Sequence, residues 1–79
     1  MHGISKKSHY REALISLINS INQQVALTEK NQVLLIMKLN TEEKISEFSK
    51  WIKLNLVEEK LMISEEEIVR HAVELDKKI

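Results

Sequence analysis

Cysteine and proline are absent from this sequence of 79 residues, glycine occurs once, and only 4% of the residues are aromatic. Without cysteine there can be no disulfide framework, thiolate zinc site or cysteine nucleophile, and the chain suits a reducing compartment, so the cytoplasm is the expected location. With Gly3 alone, neither the phosphate cradles G-x-x-x-x-G-K and G-x-G-x-x-G nor the nucleophile elbow G-x-S-x-G can be written. An excess of one charge is also missing. Twelve Lys plus Arg balance twelve Asp plus Glu for a formal net charge of +0, so the global positive field behind non-specific nucleic-acid binding is lacking. The longest unbroken apolar run, Val33 to Met37, falls far short of the ~20 residues that cross a bilayer. Met1 to Arg11 is polar and basic with no apolar segment behind it, which argues against a secretory leader.

What is present is 43% hydrophobic and 30% charged, the composition of a soluble globular domain. A chain this short buries only ~60% of its unfolded surface, and its area gain and entropy cost nearly cancel. With no disulfide or metal to staple it, the remaining route to stability is association. A homo-oligomer, in its simplest form a dimer, or a second protein is therefore the expected partner.

The missing punctuators leave capping residues and hydrophobic phase to mark the elements. Tyr10, Leu14, Leu17 or Ile18, Ile21 and Val25 recur at spacings of three and four, with Ala13 beside them, predicting an amphipathic helix from about Ser8 to Ala26. Met1 to Lys7 precedes the pattern and reads as a flexible N-terminal tail, leaving 8–79 as a single helical domain.

The next segment is ambiguous, because Val33 to Met37 and Leu39 form a nearly continuous apolar run that periodicity cannot assign. As a helix it has Thr28 for an N-cap, Glu29 at the positive end of the dipole, and good helix formers within. As a β-hairpin over about 24–39 it would turn at Glu29-Lys30-Asn31, without the glycine such turns favour. The helix is the better reading. Either way, a segment apolar on all sides should lie at the centre of the core.

A third helix is predicted from Asn40-Thr41 to about Val57, with Glu42 and Glu43 in its first turn. At ~100° per residue Ile45, Phe48, Ile52 and Leu56 share one sector, which should face the core, with Asn55 at its edge. Trp51 flanks that sector, and Leu54 and Val57 fall beyond it. The fourth helix has the strongest local signal: Ser64 and Glu67 form an S-x-x-E capping box, with Ile63 and Ile68 as its hydrophobic staple. Ile68, Ala72, Leu75 and Ile79 make its stripe, widened by Val69 and Val73, while Lys77 and Lys78 complement the C-terminal dipole. Glu58 to Met62 is either a connector or a continuation of the third helix. The fold class is all-α, a small bundle of three to four helices, with α+β as the alternative if 24–39 forms the hairpin.

Catalytic and metal constellations are weak. His2, His9 and His71 include no i, i+3 or i, i+4 pair, so no metal site is expected. His71, between Glu67 and Glu74 on its helix face, could be an oriented base, but ordinary charge pairing on a solvated face explains it better. Two of the three carboxylate runs, Glu42-Glu43 and Glu65-Glu66-Glu67, sit in first turns where the dipole favours acids; the third is Glu58-Glu59. A chain of this size also has little room for a concave site. No enzyme activity, cofactor or small-molecule substrate is expected.

Helix-turn-helix readout is disfavoured, since both candidate recognition helices begin with carboxylates that repel phosphate. Lys6, Lys7 and Arg11 form the one basic cluster, the weak candidate nucleic-acid contacts of an N-terminal arm. The sharper hint is Trp51 with Leu54 and Val57, outside the sector the core needs, with tryptophan enriched at binding hot spots. The competing explanation is that the N-terminal helix or the Glu58 to Met62 connector covers Trp51. Ten Ile, ten Lys and eleven Glu without Pro or Cys look like the coding habit of an AT-rich bacterium or its phage. The expected function is a non-enzymatic protein–protein interaction module, such as a regulator, inhibitor or assembly factor; the alternative is a DNA-binding transcriptional regulator using the basic arm.

Overall fold

The computed structural model describes residues 6–79. Four helices carry the fold: α1 (Lys6–Gln24), α2 (Glu29–Lys38), α3 (Glu42–Leu54) and α4 (Glu65–Lys78). A two-stranded hairpin, β1 (Leu56–Val57) and β2 (Lys60–Leu61), joins α3 to α4. The bundle is all-α apart from this small hairpin.

The helix starts follow from local chemistry. The Thr28 hydroxyl accepts from the Asn31 amide at 3.2 Å, and Thr41 accepts from the Lys44 amide at 3.2 Å. Ser64 accepts from the Glu67 amide at 3.3 Å while the Glu67 carboxylate takes the Ser64 amide at 3.1 Å. Each bond satisfies a donor that the first turn cannot pair internally. The residues 24–39 are thus α2 and its approach, and the hairpin alternative for them is overturned: Leu34 to Met37 all lie in one helical run that Thr28 caps and Lys38 ends. α1 begins two residues earlier than its apolar pattern and stops at Gln24, so Lys6 and Lys7 are helical. The tail expected at 1–7 otherwise lies outside the described residues.

α2 and α3 each pack against both α1 and α4. Between them lies one core of Leu14, Ile18, Ile21, Leu27, Leu35, Leu39, Ile45, Phe48, Ile52, Ile68, Ala72 and Leu75. Leu14 and Ile21 on α1, Leu35 and Leu39 from the α2 segment, Phe48 on α3 and Ile68 on α4 are its largest fully enclosed side chains. α2 is nonetheless not a central, all-round buried helix. Leu35 is enclosed, but Val33 and Met37, one turn apart, face outward at 54% and 64% exposure; a four-helix bundle of this size has no second layer to cover that side.

The third helix is shorter than its periodicity suggested. It ends at Leu54, and Asn55 caps it, its side chain donating to the Trp51 carbonyl at 2.8 Å. Leu56, expected in the core sector, is therefore on β1 and exposed. The strands pair Leu56 with Leu61 and Val57 with Lys60, leaving Glu58-Glu59 as a two-residue turn with φ of 51° and 64°. Both residues are left-handed, the signature of the primed hairpin turns whose twist matches the strands. The Gln24 side chain accepts from the Leu61 amide at 2.7 Å and ties this hairpin to the end of α1.

Candidate functional site

The helix pairing decides what surrounds Trp51. Lys44 on α3 is buried and donates to Asp76 of α4 at 2.7 Å and to Asn40 at 2.9 Å. Lys38, at the end of α2, reaches the same carboxylate at 3.5 Å. Asp76 thereby fastens the start of α3 and the end of α2 to the last turn of α4. The hydrogen bond from Lys44, with the two ammonium charges, holds its carboxyl below the usual range. At the opposite end of α4, Glu65 accepts from the Thr28 amide at 2.9 Å and from the Asn31 side chain. The Thr28 bond foremost, with Asn31, lowers the carboxyl pKa of Glu65. Two carboxylates of one helix thus fix its azimuth, one at each end.

With α4 so placed and running antiparallel to α3, His71 lies on Trp51. The rings stack with centroids 4.0 Å apart and planes 11° from parallel. Phe48, fully enclosed, approaches Trp51 at 5.7 Å and His71 at 5.9 Å. Burial lowers the His71 pKa, opposed by the charge of Glu74 and assisted by that of Lys78. Neither reading of His71 from the sequence, oriented base or solvated face, describes it; it is an aromatic packing partner.

Trp51 is half-buried, and His71 of α4 covers one face of its ring. Beside the stack runs a groove of about 510 Å³ between α3 and α4, lined by Trp51, Leu54, His71, Leu75 and Ile79 and rimmed by Glu43, Glu47, Lys50 and Lys78. Leu54 projects here with 81% exposure. Ile79, expected as the last residue of the buried α4 stripe, is 45% exposed at the groove's end. Of the three interface candidates, the structure brings Trp51 and Leu54 together in this groove. Val57 is 55% exposed but stands on the hairpin, off the helix that carries the other two.

Lys6, Lys7 and Arg11 all belong to α1, so this basic cluster rides on a helix instead of an extended arm, and Arg11 is exposed. Among the described residues, no three His, Asp or Glu side chains converge to hold a metal ion, and no helix is long and apolar enough to cross a membrane. Two further grooves, about 490 Å³ beside Tyr10, Ser46 and Lys53 and about 290 Å³ beside Leu17, Gln24 and Leu61, flank α1. Comparison with protein-family models, curated proteins and solved structures finds no match to this chain.

Proposed function

We propose that this chain is a non-enzymatic protein–protein interaction module that binds through the α3–α4 face centred on Trp51 and Leu54, and acts as a regulator, inhibitor or assembly factor. The observation that carries the reading is Leu54: a leucine 81% exposed, mid-groove, beside a half-buried tryptophan. Isolated exposed leucines are common, but one adjoining a rigidly stacked indole inside a concave, charge-rimmed groove has the anatomy of an interface centre with its polar rim. Trp51 is held in place by His71 before any partner arrives, so little side-chain freedom is lost on binding. The same reading sets the protein in a reducing cytoplasm, of an AT-rich bacterium or its phage, in keeping with its lack of cysteine.

The test is affinity capture from host lysate with wild-type and Leu54→Glu baits, each shown by circular dichroism to be folded. A protein retained by the wild type and lost with Leu54→Glu supports the reading. Equal retention by both baits contradicts it.

A further inference from the structure

The outer face of α3 is segregated by charge. Glu43 and Glu47 occupy its first half, Lys50 and Lys53 its second, and all four are exposed. Such a helix repels a parallel copy of itself, acid on acid and base on base, and attracts an antiparallel one. Nothing else in the groove opposes that attraction: the rim pairs Glu43 and Glu47 with Lys50 and Lys78, and the whole chain has a formal net charge of +0, so two copies meet without long-range repulsion.

We propose that the partner of this face is a second copy of the chain, with the two α3 helices antiparallel across a two-fold axis and Glu47 of each facing Lys50 of the other. This rests on the interaction reading above and names its partner. The register is self-consistent. The same alignment lays Leu54 over the aliphatic stem of Glu43 in the second copy, and both residues line the groove that holds Trp51. Glu47 and Lys50 already approach within 3.5 Å in one copy, so the closed contact gathers four alternating charges. An isologous interface of this kind repeats every contact twice, so few residues suffice.

Sedimentation equilibrium of the full chain tests this with four samples: wild type, E43K/E47K, K50E/K53E, and the two variants mixed in equal amounts, all checked for helicity. The wild type should sediment at twice the 9.2 kDa chain mass, each charge variant alone as a monomer, and the mixture as a dimer. Leu54→Glu, which touches no part of the core, should weaken the wild-type dimer about thirtyfold, as expected for a hot-spot residue. A wild type that stays at 9.2 kDa throughout the micromolar range overturns the proposal. So do charge variants that dimerise alone as well as the wild type does, or a mixture that fails to dimerise. If the wild type is monomeric while capture remains dependent on Leu54, only the identity of the partner is wrong; if capture is also indifferent to Leu54, the interaction reading falls with it.

Discussion

Lys44 carries the heaviest electrostatic burden of any described residue, because its ammonium is enclosed and Asp76 is its one carboxylate partner. Replacing Asp76 by Asn leaves that charge buried without a counter-ion, so the variant should unfold at lower denaturant than the wild type. The sign of the pH effect follows from the lowered Asp76 pKa. The unfolded aspartate takes up its proton near pH ~3.9, the folded one only at lower pH. Its stabilisation is thus complete above about pH 5 and is lost as pH falls through the folded value. Glu65 behaves alike. Asp76→Asn should flatten the acid limb of a stability–pH curve, and an unchanged limb would remove Asp76 as its source. His71 adds a second slope at higher pH. Its pKa is depressed by burial, so the unfolded chain binds the proton first, near pH ~6.5, and stability declines as pH drops from there through the lower folded value. His71→Phe should keep the stack on Trp51 and abolish that slope; a slope that persists in the variant would assign it elsewhere. At this scale the sequence is half legible. Trp51 and Leu54 stand out because helical phase puts them beyond the core sector, whereas Lys44 and His71 look like ordinary solvated residues until the helix pairing is known.

Elements were legible wherever their boundaries are written in local chemistry. Thr28, Thr41 and Ser64 mark three helix starts because a hydroxyl three residues ahead of an unpaired amide has one favourable arrangement. Ser64→Ala should therefore cost ~1 kcal/mol, read as a shift in the urea midpoint; an unmoved midpoint would mean the cap is dispensable. The connector after α3 was not legible, since Glu58-Glu59 replaces the Asn-Gly or Asp-Gly that announces a two-residue hairpin. Two glutamates with positive φ hold an arrangement costing ~1–2 kcal/mol per residue without a compensating side-chain bond. Glu58→Asn with Glu59→Gly should accordingly raise stability by ~1 kcal/mol or more. A loss of stability in that double variant would show that these carboxylates contribute something beyond the turn. α3 illustrates the same limit: its apolar phase continues through Leu56, and only the Asn55 cap and the strand pairing of Leu56 with Leu61 stop it at Leu54.

On the scale of the molecule, the all-α bundle follows from three amphipathic stripes and one capped apolar run, while its arrangement depends on pairings between residues over thirty positions apart in the chain, Lys44 with Asp76 and Asn31 with Glu65. Periodicity carries no record of such pairs, which is why the apolar run of α2 looked central and lies with Val33 and Met37 in the open. The apolar surface left over is the Trp51–Leu54 face, which a partner would cover, and Trp51, as the sole tryptophan, reports on that face alone. The most direct measurement is the Trp51 emission maximum across a dilution series through the micromolar range, alongside the same series for Leu54→Glu. Wild-type emission should shift to longer wavelength on dilution, following the fall in mass, and Leu54→Glu should show a red-shifted emission that does not change with concentration. Identical, concentration-independent emission from both proteins, with the wild type at monomer mass throughout, would contradict that coverage.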